Sequence, residues 1–480
     1  PAPPPWLRGA DSLTAAYAAG SASPEQIIEG AYRALDRISA QQPMLDCMLT
    51  RDTKRALKDA SASAERWSQG IPRGPLDGVP FAVKEQVAVA GFRRRLGDTV
   101  VDSSLETRDA TIVRRLRAAG AIVLGQTTMT EFGMSPVGIN PVRAPLRNPH
   151  NLGHTAGGSS TGSGLAVALG LCPVAIGADG GGSIRIPAAM VGVFGLKPTF
   201  GYVSRAGDAF GGSLDHLGPI AGCTRDLALF MEAVAGRDPE DPGSLHAPAS
   251  PPRFSAALLQ DVKGLRIGID EQQWQDCSDS IREAGSRALD RLVEAGAERV
   301  AVRLPLADVA APIGYLTIAA ETRTLAAASF ARHRARFGLD MQAFLQITAQ
   351  LDAQEYLRAQ VLREQLRQQV SRTLRQVDVL ALPTTASTAL ASHPTYERDG
   401  LLFAGGVNAM CRHTFLGNLT GLPAGTAPVG LDGDGLPMGL QILGDAWRDS
   451  TVLRVLAALE RQGAARAARA PQHVDLLACT

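Results

Sequence analysis

Apolar and polar positions along the 480-residue chain follow two periods in turn, one helical and one strand-like, and the alternation marks an α/β protein. Ser23-Pro24-Glu25-Gln26 reads as an N-cap, a first-turn proline and a capping-box glutamine, which predicts a helix over 24–40. A second helix is predicted over 52–68. The turn-rich stretch from Gly70 to Gly78 then leads into the apolar run Val79-Pro-Phe-Ala-Val83, predicted as a buried strand ending at Lys84. A helix over 109–119 and a strand over 121–124 follow, then a small-residue helix over 162–169 and a strand over 174–177. Beyond Asp261 the pattern gives a strand over 265–269, a helix over 279–295 and a strand over 299–302. Residues 305–375, rich in Ala, Gln, Arg and Leu, read as a helical insertion packed against the sheet. Strands are predicted over 377–382, 425–429 and 438–443, and an amphipathic helix over 450–461 closes the fold. The tail after Gly463 is expected to be loosely held. No internal repeat or low-complexity segment is present.

Composition narrows the function. Lys plus Arg (48) nearly cancels Asp plus Glu (47), so no basic excess points to nucleic acid and no Lys/Arg-rich run points to an anionic membrane. The longest uncharged stretch, 155–178, contains Pro173 and has too short an apolar half to span a bilayer. A small-molecule substrate is the expectation, with no nucleic-acid or membrane partner and a monomer or homodimer as the working form. Six cysteines, at 47, 172, 223, 277, 411 and 479, are dispersed without a C-x-x-C pair. They read as free thiols in a reducing, cytoplasmic setting. The opening Pro-Ala-Pro-Pro-Pro-Trp6 has no apolar signal core.

The candidate chemistry is concentrated between residues 157 and 185. Gly157-Gly-Ser-Ser-Thr-Gly-Ser-Gly164 and Asp179-Gly-Gly-Gly-Ser-Ile-Arg185 are glycine-rich turns, each followed by a helical stretch. Glycines allow close backbone approach and can aim successive amides into one concavity. Three of them before Ser183 fit an oxyanion loop beside a nucleophilic serine, whereas an isolated Gly-Gly-Ser is more often a packing turn beneath a helix. Neither turn carries G-x-x-x-x-G-K-[ST] or G-x-G-x-x-G, and there is no G-x-S-x-G elbow. A serine nucleophile here needs a base from elsewhere in the chain.

Five stretches together resemble the amidase signature family: Gly78-Val-Pro-Phe-Ala-Val-Lys84, Gly157-Gly-Ser-Ser160, Asp179-Gly-Gly-Gly-Ser-Ile-Arg-Ile-Pro187, Gly195-Leu-Lys-Pro-Thr-Phe-Gly201 and Leu214-Asp-His-Leu-Gly-Pro-Ile220. Ala119-Gly-Ala-Ile-Val-Leu-Gly125 and Asn418-Leu-Thr-Gly-Leu-Pro423 extend the likeness over nearly the whole chain. The resemblance implies a central mixed, twisted β-sheet flanked by helices on both faces, with a helical insertion. It implies a single domain over 1–480: N-terminal helices over 1–70, a catalytic core over 71–235, the insertion over 305–375, and a C-terminal sheet and helix over 376–463. It also implies a Ser–cis-Ser–Lys triad with no metal or cofactor. Lys84 matches the family lysine, Ser159 the cis-peptide serine and Ser183 the nucleophile; the 24-residue separation of the two serines selects Ser159 over Ser160. Gly180, Gly181, Gly182 and the Ser183 amide match the oxyanion loop, and Asp179 and Arg185 its supports. Lys84 can serve as base only when neutral, which requires its pKa to fall by about three units, a cost near ~4 kcal/mol. Taken alone it would read as a solvent-facing strand-end lysine. A Ser–His–Asp triad through His154 or His216 is the competing arrangement, but the family pattern places neither histidine as a base.

The chain departs from the family at several points. Glu85-Gln86 replaces Asp-Asn, Thr128 replaces asparagine, and Gly180 replaces a threonine or aliphatic residue, which could open room for a bulkier substrate. Arg93-Arg-Arg-Leu-Gly-Asp98 reads as a solvated loop. Expected pocket residues are Met129 and Gly133 from 129–137, Phe210 from 206–214, and Leu316 with Phe344 from the insertion. Their apolar character points to a neutral, hydrophobic or aromatic amide, and the chain is similar to the bacterial urethanases of this family, which cleave aryl carbamates. Two other classes are a glutaminase subunit of an aminoacyl-tRNA amidotransferase complex, and a non-catalytic scaffold. The presence of all three triad positions argues against the scaffold.

Overall fold

A computed structural model describes residues 9–99, 104–394 and 404–479. Eleven strands among them form one mixed sheet: β1 (Met48–Thr50), β2 (Pro80–Lys84), β3 (Ile122–Thr127), β4 (Val174–Ala178), β5 (Phe194–Lys197), β6 (Leu217–Ala221), β7 (Arg266–Ile269), β8 (Glu298–Ala301), β9 (Val379–Pro383), β10 (Ala424–Leu431) and β11 (Pro437–Gly444). Their order across the sheet is β1-β3-β2-β4-β6-β5-β10-β11-β9-β7-β8. The β3-β2-β4 and β9-β7-β8 groups are parallel, and the remaining neighbours are antiparallel. Helices cover both faces. On the central strands a side chain at Gly425 would meet Val452 and Leu456 of the helix Asp449–Arg461, whereas one at Gly439 would meet Ala189 of the helix Arg185–Val191 on the other side.

The predicted helices at the N-terminus form where their caps lie. Ser23 Oγ accepts from the Gln26 amide at 3.3 Å while Gln26 Oε1 accepts from the Ser23 amide at 2.8 Å, and the helix runs Pro24–Gln41. Asp52 caps the helix Thr53–Ser68 through the Arg55 amide. The insertion consists of the helices Ala310–His333, Leu339–Thr348 and Ala353–Thr373. No helix among the described residues is long and apolar enough to cross a membrane. Strands β1, β5 and β6 escape the pattern reading because they are short or broken by residues rare in strands. β6 is Leu-Gly-Pro-Ile-Ala, yet Pro219 sits opposite Ile176 in the middle of the sheet.

Two expectations need correction. The segment after Gly463 is docked along the body rather than loosely held. Ala465, Ala470, Val474 and Leu476 are buried, and backbone bonds join Arg466 to Pro428, Ala468 to Gly192 and Val474 to Leu169. Gly170 and Gly192, both at positive φ after helices, admit this close approach; a Cβ on Gly170 would lie 2.2 Å from the Val474 carbonyl oxygen. Likewise the basic stretch 93–98 is solvated only in part. Arg93 and Arg95 are exposed, but Leu96, Gly97 and Asp98 are buried, and Leu96 O accepts from the Phe132 amide at 2.7 Å. The docked tail predicts that Leu476→Ala lowers the free energy of unfolding by about 2–5 kcal/mol, read from urea denaturation. An unchanged midpoint would show that the tail contributes nothing.

Candidate active site

Because β2 and β4 are parallel neighbours, both deliver their last residues, Lys84 and Ala178, to one end of the sheet. Lys84 is buried, and its Nζ donates to Ser159 Oγ at 2.7 Å and to the Ala178 carbonyl at 3.3 Å. Ser159 reaches it from the glycine-rich turn before the helix Thr161–Ala168, where the Gly158–Ser159 peptide bond is cis. The turn is held by Gly158 N donating to Pro136 O at 2.8 Å and Thr130 N to Ser159 O at 3.3 Å. The adjacent Ser160 does something different: its hydroxyl bonds both the carbonyl and the amide of Ala178, so it closes the end of β4. Burial pulls the Lys84 amine down to about 8, against the opposing pull of Asp215, Asp208, Asp179 and Glu85.

The turn after β4 brings Ser183 to the same end. Asp179 accepts from the Gly182 amide at 2.7 Å and the Ile184 amide at 3.2 Å, closing the Gly180–Gly182 loop upon itself. Arg185 grips the same carboxylate through Nε at 3.0 Å and Nη2 at 2.9 Å, both residues being fully buried. Its other donors reach Thr414 O, Gln441 Oε1 and Asn418 Oδ1, while Asn418 Nδ2 donates to Asp179. Burial would raise the Asp179 carboxyl, but the Arg185 charge and its hydrogen bonds outweigh that and hold it well below the usual range. The Gly182 N–H is committed to Asp179, which removes it from the expected oxyanion donors and makes it a loop-holding residue.

Lys84, Ser159 and Ser183 open on one cavity of about 540 Å³, its mouth included. Gly133 and Phe210 line it as expected. Met129 does not, although a Cβ added at Gly133 would sit 3.3 Å from both Met129 Cε and Ser159 Oγ. Leu316 does not line it either. The helix Ala310–His333 presents Ile318, Glu321, Thr322 and Leu325 at i, i+3, i+4 and i+7, which turns Leu316 to the opposite face, against the core shared with Phe415 and Leu419. Phe344 packs one layer back, in the cluster of Phe132 and Phe337. Gly180 lines the cavity too, and the room left by its missing side chain is bounded by the insertion helix, since a Cβ there would lie 2.9 Å from Ile318 Cδ1. Glu85 and Gln86 are both used: Glu85 accepts from the Met129 amide and pairs with Arg143, and Gln86 donates to Asp208.

The pattern of residues does not single out Phe132, Met134, Asp215 or the insertion positions 318, 321, 322 and 325 as cavity residues. The helical spacing of the last four is a visible signal, but which face of the helix meets the cavity is not. Neither histidine joins the serines. His216 is buried, hydrogen-bonded through Nδ1 to Leu214 O at 2.7 Å and packed edge-on against Phe200, and burial holds it neutral. His154 pairs with Ala391 in an isolated bridge. The buried ion pair beneath the loop predicts that Arg185→Met costs about 3–5 kcal/mol of stability in urea denaturation, since it strands the Asp179 carboxylate. A near-neutral result would mean that Asp179 is not charged there.

The comparisons with known proteins agree with this geometry. The amidase family profile matches residues 31–453. A glutamyl-tRNA(Gln) amidotransferase subunit from Chloroflexus aggregans is 35% identical over 475 residues, covering 94% of this chain and 96% of that protein. Among solved structures, a chain of a vestigial protein complex tied to the evolutionary origins of an s-triazine catabolic enzyme superposes with a TM-score of 0.87 at 31% identity, covering 96% of this chain and all of that one. A bacterial aryl acylamidase of the amidase signature family superposes with a TM-score of 0.85 at 29% identity, covering 95% and 96%. With the family profile spanning most of its length and such relatives covering nearly all of it, the chain belongs to the amidase signature family of hydrolases acting on carbon–nitrogen bonds.

Proposed function

We propose that this chain hydrolyses a neutral, apolar amide or carbamate through a Ser183 acyl- or carbamoyl-enzyme, with Ser159 relaying the proton and Lys84 accepting it. The observation that carries the reading is the 2.7 Å bond from Lys84 Nζ to Ser159 Oγ on the wall of a cavity that Ser183 shares. A serine hydroxyl attacks a carbonyl efficiently only as its proton leaves. Ser183 Oγ adds to the carbonyl carbon, its proton passes to Ser159 Oγ, and the Ser159 proton passes to the neutral amine of Lys84. The amides of Gly180, Gly181 and Ser183 are the loop donors left to meet the oxyanion. Collapse expels the leaving nitrogen, or the alcohol of a carbamate, which takes the proton back by the reverse route. Water then attacks the ester with the same base, releasing the acid or carbamic acid and restoring Ser183.

The cavity wall supports a neutral substrate. Phe132, Met134, Phe210, Leu214, Ile318 and Leu325 supply apolar surface, and the likeness to an aryl acylamidase points the same way. A second reading, a glutaminase subunit of an aminoacyl-tRNA amidotransferase, is favoured by the Chloroflexus relative and would set aside the expectation of no nucleic-acid partner. Glutamine brings an α-carboxylate, however. Among the described residues lining the cavity Lys84 is the one cation, and as a base it must be neutral.

Three outcomes check these readings. Matched nitroanilide amide, nitrophenyl carbamate and nitrophenyl ester substrates should be turned over by the isolated chain, and Ser183→Ala should lower kcat/KM by roughly 10,000-fold or more. Equal turnover in both proteins would remove Ser183 from the mechanism. Silence of the wild type on all three, with glutamine hydrolysis appearing only beside partner subunits, would establish the amidotransferase reading instead. With Lys84 near 8, about a tenth of it is neutral at pH 7, so kcat/KM should climb about tenfold per unit below pH 8 and level off above it. A profile flat from pH 6 to 9 would exclude Lys84 as the titrating base.

A further inference from the structure

The reaction needs the amides of Gly180, Gly181 and Ser183 to converge on one point, yet successive glycines have no steric preference for one backbone path. The path is imposed from outside the loop. Asp179 O accepts from Asn418 Nδ2 at 2.8 Å and from the His216 amide at 3.1 Å, and Gly182 O accepts from the Ile186 amide at 2.7 Å. Between these anchors lies the Gly181–Gly182 peptide, which is held at both ends. Its N–H donates to Asp179 Oδ1 at 2.7 Å, and its carbonyl accepts from Thr414 Oγ1 at 2.6 Å.

Thr414 stands just before the helix Phe415–Thr420, 233 positions along the chain from Gly181. It is completely buried and does not line the cavity. Its hydroxyl has a single proton to give, and Gly181 O is a nearer acceptor than Cys411 O, which lies at 3.1 Å. The Thr414 carbonyl accepts from Arg185 Nη1 at 2.9 Å, so the residue is itself held by the ion pair beneath the loop. The fit is close. A Cβ on Gly182, whose φ is +125°, would lie 2.5 Å from Thr414 Oγ1, and one on Gly181 would lie 2.6 Å from Phe415 Cε1.

We infer that Thr414 is a positioning residue for the oxyanion donors: by pinning the Gly181 carbonyl it fixes the plane of the central peptide, and with it the directions of the Gly181 and Ser183 amides on either side. The inference rests on the reading of Ser183 as the nucleophile. Without the hydroxyl, the peptide keeps its amide tie to Asp179 but swings about that bond, because its buried carbonyl has lost a donor. The loop amides then turn away from the oxyanion. The apolar walls at Phe132 and Phe210, which come from other segments, keep their places. Thr414 therefore acts on the rate of bond formation and not on the binding that precedes it.

Labelling by an alkyl fluorophosphonate tests this without a known substrate. Ser183 Oγ bonds to phosphorus as fluoride leaves, the serine proton passes to Ser159 and on to Lys84, and the phosphoryl oxygen occupies the oxyanion site. Saturation kinetics on the full-length protein separate kinact from KI in wild type, Ser183→Ala, Thr414→Val, Thr414→Ser and Thr420→Val. Thr414→Val should lower kinact about 10- to 100-fold with KI within about threefold, while Thr414→Ser, which keeps the hydroxyl, should stay within about threefold on both. Thr420 Oγ1 donates to Leu416 O at 2.7 Å within its own helix, so Thr420→Val removes a comparable bond and should leave kinact unchanged. An unchanged kinact in Thr414→Val, or an equal loss in Thr414→Ser or Thr420→Val, would overturn the positioning role. So would a change carried by KI. Should Thr414→Val not fold, Thr414→Ala is judged by the same limits. Absence of wild-type labelling, or labelling that survives Ser183→Ala, would overturn the nucleophile itself, and the inference with it.

Discussion

The Asp179–Arg185 ion pair is the constraint on which the active end of this molecule depends. Both side chains are wholly buried, and removing two charges from water is costly unless every remaining donor and acceptor is met. Here they are met. The Asp179 carboxylate takes two loop amides, Arg185 and Asn418, while Arg185 spends its spare donors on Thr414, Asn418 and Gln441. One pair thus binds together the turn after β4, the helix Phe415–Thr420 with the residue before it, and β11. A second buried cation, Lys197, is pulled down to about 7, by burial first and then by the Arg185 charge. It donates to the carbonyls of Pro198 and Leu422, which leaves Arg185 as the partner of Asp179.

From that frame the rest of the site follows by sheet geometry. Parallel pairing of β2 with β4 sets Lys84 beside Ala178, and the glycine-rich turn lays Ser159 against the amine. Burial lets the amine give up its proton near neutral pH, and the carboxylates around it keep that effect within bounds. The two serines of Gly-Gly-Ser-Ser divide the work: one faces the lysine, and the other closes β4.

The departures from the family pattern turn out to be structural joints. Ile318 occupies the room vacated at Gly180, so the insertion helix leans directly on the glycine loop. Glu85 anchors the Met129 segment through its amide and Arg143, and Gln86 anchors the Asp208 loop. Both cavity loops are therefore tied to the two residues that follow Lys84, so their positions are coupled to that of the lysine.

Local patterns in the chain are enough to specify the α/β class and most helices and buried strands, because capping boxes, apolar runs and glycine-rich turns are all short-range signals, whereas Lys84, Ser159 and Ser183 stand out only through the resemblance to the amidase signature motifs. They do not reveal β6, whose glycine and proline are held in a strand only by neighbours on both sides. They also mislead about the tail, whose Ala468 and Val474 approach the body closely at Gly192 and Gly170, two positions without a side chain. Above all, they do not say which face of the insertion helix meets the cavity, so that Ile318 rather than Leu316 stands beside Gly180, or that Gly182 spends its amide on Asp179. Periodicity fixes which residues share a face, whereas the direction of that face and the partners of each buried polar group are set by contacts between segments distant in the chain.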